Sequence, residues 1–246
     1  MREWHDKFFA GTYTRILAHT FTKHATREQA RGIKHLLGLR KGQKVLDLPC
    51  GQGRVTLALA RMGIRAIGVD RQPHYIRRAK TLGHRAHLKA EFQVGDMRET
   101  SFQGEFDAAF NWFGSFGYFN ARQNKKVLAN FFRALKPGGR FVLQCPNKDW
   151  IKRNFKPVME ATIAGIRMTQ RNRWEAKDRS IRTYWTFQSK TKTDRYVSVM
   201  HQYDKKDLAR LLKSVGFRKI RFFGGLSGKP LHEDSAGIIA VAAKPK

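Results

Sequence analysis

The chain of 246 residues is short of cysteine, of acidic side chains and of long apolar runs, and each shortage removes a class of protein. Its two cysteines, Cys50 and Cys145, cannot build the disulfide framework of a small secreted domain. Both read as reduced structural residues, and a reducing cytoplasm is the expected setting. The longest apolar stretch, Ala236 to Ala243, falls far below the ~20 residues of a membrane helix, and the N-terminus lacks an apolar signal core, so no membrane contact is expected. Arg2, Lys7 and Arg15 beside Phe8, Phe9 and Ile16 mimic a transit peptide, but Glu3 and Asp6 oppose that reading. No His/Cys cluster has metal-ligand spacing, so no metal is expected, and there is no internal repeat or linker. Only 19 Asp and Glu stand against 49 Lys and Arg, for a formal charge of +30. Up to position 150 there are 27 basic and 11 acidic residues, and 22 and 8 after it, so the excess covers the whole surface and is no tail. Such a field attracts nucleic acid, anionic nucleotides or acidic surfaces, and a background basic bias would produce it too.

What is present is organised around one turn. Val45-Leu46-Asp47-Leu48-Pro49-Cys50-Gly51-Gln52-Gly53 reads as an apolar strand ending at an acid, followed by a small-residue turn that opens into a helix from Arg54. Glycines there permit a tight reversal and close approach of a ligand to backbone N–H groups. A second strand, Arg65 to Val69, ends at Asp70, where ribose hydroxyls would be gripped. A third, Glu91 to Val94, precedes Gly95-Asp96-Met97-Arg98, whose carboxylate and thioether suit an adenine. The fourth, Phe106 to Phe110, runs into Asn111-Trp112-Phe113-Gly114-Ser115-Phe116-Gly117-Tyr118-Phe119, and Leu135 to Arg140 turns a helix into the fifth, Phe141 to Cys145. Asp47, Asp70, Asp96 and Asn111 thus recur at strand ends on one edge of one sheet. Helices from Pro73 to Gly83 and from Ala121 to Leu135 alternate with these strands.

Over residues 40 to 146, and in a tail from Tyr203 to Lys246, the chain closely resembles the class I S-adenosylmethionine-dependent methyltransferases. The resemblance implies that Asp47, Gly51 and Gly53 line the methionine part of S-adenosylmethionine, that Asp70 binds its ribose, and that Asp96 with Met97 holds its adenine; S-adenosylhomocysteine would be the product. Pro49, Arg71, Arg98, Asn111 and Trp112 complete the candidate cofactor set. Thr56 stands where a dinucleotide fingerprint has its third glycine, which weakens a nicotinamide reading. The elements Gly-Asp-Met-Arg and Phe-Gly-Ser-Phe-Gly-Tyr-Phe look most like the branch of small-molecule N-methyltransferases, including those acting on nucleotide-linked amino sugars.

The expected fold is α/β, a doubly wound Rossmann-like seven-stranded sheet with an N-terminal helical lid and an antiparallel β insertion after the fifth strand. One domain spans 1–246, divided into a lid (1–39), a cofactor-binding core (40–150), a β insertion or cover (153–203), and a last helix with two strands (204–246). Residues 3–18 read as one amphipathic helix, and Thr26-Arg27-Glu28-Gln29 as the capping box of a second that ends near Gly38. In the family such helices lid the cofactor, so Trp4, His5, Phe8 and Tyr13 become candidates for covering cofactor or acceptor. Strands are expected at 166–174, 180–187 and 196–203, with Arg167, Thr169, Arg171 and Arg173 on one face, Ile166, Met168 and Trp174 on the other, and Arg182 sharing a face with Tyr184. This insertion could form a homodimer. By analogy the acceptor pocket uses Trp112, Phe113, Ser115, Tyr118 and Phe119 beside the methyl group, Tyr13 from the lid, and Tyr184 and Trp185 from the cover. Candidate catalytic groups are Tyr118 and the histidines His5, His201 and His232. No Asn/Asp-Pro-Pro-Tyr follows the fourth strand and no cysteine stands there, which argues against adenine-amine and cytosine C5 chemistry. The expected function is methylation of nitrogen or oxygen on a small polar, anionic or nucleotide-linked acceptor. Two alternatives stand beside it: an RNA methyltransferase using the basic surface, and a non-catalytic nucleic-acid-binding scaffold.

Overall fold

Helix-period apolar residues open the chain, but they form three helices where two are expected: α1 (Trp4–Ala10), α2 (Tyr13–Thr20) and α3 (Lys23–Leu37). The computed structural model describes residues 3–246. The single helix over 3–18 breaks at Gly11, whose backbone is extended (φ −99°, ψ −154°); a Cβ there would strike the Tyr196 hydroxyl, and the neighbouring Thr12 donates to Asp194. Both partners lie far along the chain. Helix α3 starts four residues earlier than the capping box at Thr26, since the Thr22 hydroxyl accepts from Ala25 N–H at 3.0 Å. Glu28 pairs with Arg31 instead of capping.

The core then alternates as its pattern predicts: β1 (Lys44–Asp47), α4 (Arg54–Arg61), β2 (Arg65–Asp70), α5 (Pro73–Arg85), β3 (Ala90–Val94), β4 (Phe106–Asn111), α6 (Ala121–Ala134) and β5 (Leu135–Pro146). Lys136 to Gly139 bulge out of β5, for Leu135 faces Phe106 while Arg140 faces Ala108, and Gly138 takes φ 76°. After α7 (Lys148–Arg153) come β6 (Val158–Ile163), β7 (Ile166–Glu175), β8 (Ser180–Gln188) and β9 (Thr193–His201), then α8 (Lys205–Ser214), β10 (Arg218–Phe223) and β11 (Gly237–Ala243). The large sheet has the order β3-β2-β1-β4-β5-β11-β10, parallel except around β11, with one buried cluster on each face. Strands β1, β2 and β4 are buried on both faces, so their apolar runs read as central strands. Among the described residues no helix is long and apolar enough to cross a membrane.

Strands β6 to β9 form a separate antiparallel sheet in chain order, one strand more than expected. The extra strand, β6, is an edge strand exposed at most positions and so shows no alternation to read. The inner face of this sheet buries Ile166, Met168, Trp185, Phe187 and Tyr196 against Phe8, Phe9, Tyr13 and Ile16 of α1 and α2. Lid and cover therefore share a core of their own, and together they roof the carboxyl ends of the parallel strands.

Candidate functional site

The carboxyl ends of β1, β2, β3 and β4 open into a cavity of about 590 Å³ between the large sheet and this roof. In a doubly wound sheet this is where ligands bind, since the strand order reverses beside β1. Asp47, Pro49, Gly51, Asp70, Arg71, Asp96, Met97 and Trp112 line it, as do Tyr13, Phe113, Ser115, Tyr118 and Trp185. His5 lines it as well.

Two buried carboxylates dominate its floor. Burial pushes Asp47 up to about 7, against an opposing 2.6 Å hydrogen bond from the Thr56 hydroxyl. Burial likewise raises Asp70 to about 6, although Gly51 N–H and Gln72 N–H each donate to it at 2.8 Å. Neither forms an ion pair among the described residues. Carboxylates so placed favour a cationic ligand that would restore their ionised form. Gly51, at φ 55°, leaves open space where a Cβ would point, so the backbone can be approached closely. A cationic ligand suits this floor in charge, and the open space at Gly51 leaves its backbone accessible.

Other expected cofactor residues have different surroundings. Gly53 faces inward: a Cβ there would meet Phe92 at 2.6 Å and Ala79 at 2.9 Å, so this glycine serves helix packing. Asn111 lies just behind the cavity wall, donating to the Leu48 carbonyl at 3.0 Å, and its own Oδ1 is buried without a partner. Arg98 also stands behind the wall. It reaches Asp96 Oδ1 through Nε at 3.0 Å and grips Glu3 through Nη1 at 2.8 Å and Nη2 at 2.7 Å. Arg71 bridges Asp96 at 2.9 Å and Asp6 at 2.9 Å, and also contacts Glu3. Burial alone would raise Asp96, but hydrogen bonds from Arg98 and the nearby guanidinium charges hold it below the ordinary carboxylate value. Arg71 and Arg98 thus latch the lid's acids to the third strand end.

The roof contributes aromatic surface. Trp4 meets Tyr118 edge-on at 5.2 Å, Phe9 lies 5.7 Å from Tyr118, and Tyr13 lies 5.9 Å from Trp185. Burial pushes the Tyr118 hydroxyl well above its usual range, so it stays protonated. His5 is buried and its pKa is lowered by that burial. Its Nε2 lies between Arg71 Nη1 at 3.1 Å and a Glu3 carboxylate oxygen at 3.3 Å, and its Nδ1 is buried without a partner. His201 and His232 lie outside the cavity; His201 Nδ1 contacts the Asp178 carbonyl and His232 sits in an exposed loop. Tyr184 is on the outer face of the cover, 46% exposed and turned away from the cavity, because it neighbours the inward Trp185 in a strand.

Arg54 is a site residue that the sequence pattern does not single out. It lines the cavity, stacks over Phe21 at 3.7 Å, and donates to Gln29 Oε1 at 2.5 Å, which also accepts from Trp112 Nε1 at 3.3 Å. Burial lowers its pKa to about 10, and it forms no ion pair among the described residues. The one signal for it is its place as the first helical residue after the glycine turn, where an anionic ligand group meets free N–H groups. Among the described residues no group of His, Cys, Asp and Glu is arranged to hold a metal.

Residues 45–139 match the family model described as a methyltransferase domain. An S-adenosyl-L-methionine-dependent Diels-Alderase of Talaromyces variabilis is 36% identical over 139 residues, 53% of this chain and 47% of the relative. The chain spans about half the length of the first curated relatives it matches. An S-adenosylmethionine-dependent methyltransferase of Clostridium acetobutylicum shares the fold over 97% of this chain and 98% of its own, with TM-score 0.80 and 17% identity. An amino pentose methyltransferase of Micromonospora echinaspora, solved with S-adenosylmethionine, does so over 95% and 97%, with TM-score 0.67 and 17% identity. Residues 45–139 thus match a methyltransferase domain, and the whole chain shares its fold with S-adenosylmethionine-dependent methyltransferases.

Proposed function

We propose that this chain is a class I S-adenosylmethionine-dependent methyltransferase that methylates nitrogen on a small acceptor whose body is apolar or planar. S-adenosylmethionine, when bound, supplies an electrophilic methyl group, so the protein's task is to hold, align and dehydrate. Asp47 and Asp70 would hold its cationic and ribose parts, Gly51 would admit its tail, Arg54 would face the tail's carboxylate, and the Asp96–Met97 edge would meet its adenine. Trp4, Phe9, Tyr13, Tyr118 and Trp185 form the remaining walls, and their π faces favour an acceptor that becomes cationic as it is alkylated.

The observation that carries nitrogen over oxygen is the state of the titratable groups beside those walls. Tyr118 stays protonated through burial, and His5 has one ring nitrogen held between Arg71 and Glu3 and the other buried, so it offers the acceptor no free lone pair. An uncharged amine reacts without a base and releases its proton afterwards, whereas an alcohol needs one during transfer. The amino pentose methyltransferase of similar fold is consistent with an amine acceptor. The reading rests on aromatic lining, so the acceptor's bulk need not match the anionic partner that the overall charge suggests.

Transfer from radiolabelled S-adenosylmethionine into a cell extract, split into small-molecule, protein and RNA fractions with an RNase control, tests it. Acid-stable label in a basic small molecule is expected. RNase-sensitive label would replace it with the RNA reading. The Talaromyces variabilis relative motivates a second reading, in which S-adenosylmethionine is bound and not consumed. Tight cofactor binding with substrate conversion but no gain of a methyl mass would favour that one.

A further inference from the structure

The outer face of the cover sheet is a surface that the cavity does not use. Four positions lie side by side across all four strands: Val158 opposite Arg171, Arg171 opposite Tyr184, and Tyr184 opposite Val197. Strands pack ~4.8 Å apart, so this row crosses ~14 Å of sheet. Val158 is 46% exposed, Tyr184 46% and Val197 38%, although a large aromatic and two aliphatics on one row would ordinarily be covered. The adjoining rows carry Arg173 opposite Arg182 and Arg195 opposite Thr186, and Arg167 lies further along β7.

The charge on this face decides among possible occupants. It holds five arginines and no lysine, against Glu160 and Glu175. Glu160 is taken by Arg167 at 2.9 Å, and Glu175 is shared by Arg182 at 3.2 Å and Arg173 at 3.7 Å. Arg171 and Arg195, which flank the exposed tyrosine, form no ion pair among the described residues. A second copy of the chain would bring these unpaired cations against their own images, which electrostatic complementarity disfavours. Guanidinium forks fit phosphate oxygens bidentately, and an exposed aromatic on a flat sheet offers a base a stacking platform.

We propose that this outer face binds single-stranded nucleic acid, with Tyr184 stacking on a base and Arg171 and Arg195 contacting the flanking phosphates. The strand lies on the side of the cover opposite the methyl-transfer cavity, so it is a docked partner and not the acceptor. The assignment is independent of which acceptor the cavity takes.

The test is the anisotropy of a fluorescein-labelled, mixed-sequence RNA of twelve nucleotides, titrated with the full chain at several salt concentrations. Tyr184→Ala is expected to weaken binding about tenfold and Tyr184→Phe to leave it within about twofold, since stacking survives loss of the hydroxyl. The pair Arg171→Ser with Arg195→Ser is expected to flatten the slope of log affinity against log salt by about 1.4, at ~0.7 for each phosphate no longer neutralised. The control pair Lys125→Ser with Lys126→Ser removes two exposed charges on α6 and should change neither by more than about twofold. Equal losses from the face pair and the control pair would mean that only the overall field attracts RNA and would overturn the proposal. No RNA binding in ~0.1 M salt would overturn it too. Tighter, face-dependent binding to vesicles containing phosphatidylserine would assign the face to a membrane instead, and face-dependent dimerisation in sedimentation would assign it to a second copy. Retained thermal stabilisation by S-adenosylmethionine shows that each variant is folded.

Discussion

Asp47 carries the clearest conflict between folding and binding at the residue scale. Its folded pKa, about 7, lies above the ~3.9 of an unfolded aspartate, so the folded chain binds the extra proton between those values. The sign follows directly: stability of the free protein falls as pH rises from about 4 to 7, and the unfavourable contribution is fully present above 7. Asp47→Asn keeps an acceptor for Thr56 and removes the buried charge. It should stabilise the free protein at pH 8 by on the order of 2 kcal/mol, raising its melting temperature, while weakening S-adenosylmethionine binding at least tenfold. A lower melting temperature in scanning calorimetry would refute this. Since a cationic ligand needs both carboxylates ionised, wild-type affinity should also fall as pH drops through about 7 and then about 6, measured by calorimetric titration from pH 8.5 to 5.5. Arg54→Met keeps bulk against Phe21 but removes the unpaired guanidinium, and should cost about 1.5–3 kcal/mol of cofactor affinity; an unchanged Kd would remove Arg54 from the site. The acids at strand ends are legible because apolar strands stop at them. Arg54 is not, because a single arginine has no spacing signal and its importance lies in Phe21 and Gln29, brought near only by the lid.

At the scale of elements, the lid is held by two kinds of contact that respond differently to salt. Aromatic packing ties α1 and α2 to the cover, and this survives ionic strength. The latch of Glu3 and Asp6 on Arg71 and Arg98 is partly exposed and weakens as salt screens it. Glu3→Gln with Asp6→Asn should therefore speed amide exchange over residues 4–10 about tenfold or more and leave the exchange of β1 and β4 unchanged. Equal exchange in wild type and variant would mean that aromatic packing alone closes the lid. The same contacts explain what the sequence could and could not convey. Parallel strands and their helices are readable because local pattern dictates them, from Pro73 opening α5 to Gly38 closing α3. The break at Gly11 is hidden because the residues it meets, Tyr196 and Asp194, lie on a strand whose position no local pattern reveals. Tyr184 and Trp185 can both be placed in the insertion, yet which of the two faces the cavity depends on register, and a strand alternates its faces at every residue.

At the scale of the whole molecule, the charge of +30 sets two ranges of force against each other. Ion pairs such as Lys44 with Glu105 at 2.9 Å act over distances shorter than any Debye length used in practice, and exposed pairs contribute only ~0–1 kcal/mol each. Repulsion between the basic faces acts across the molecule, whose radius of gyration is ~18 Å for this length. The Debye length is ~30 Å at 0.01 M salt and ~8 Å at 0.15 M, so that step removes the long-range repulsion while weakening partly exposed close pairs to a smaller degree. Unfolding spreads the same charges over a larger volume, so repulsion burdens the folded state more, and screening favours folding. The melting temperature should therefore rise by several degrees between 0.01 M and 0.15 M sodium chloride. A fall over that interval in differential scanning fluorimetry would show that close ion pairs, and not the net field, govern the stability of this chain. The lid latch should loosen over the same step that stabilises the fold, so amide exchange at residues 4–10 would accelerate while the global transition moves upward. That opposite response separates the net field from local pairs within one titration, because a general salt effect on hydrophobic burial would move both in the same direction.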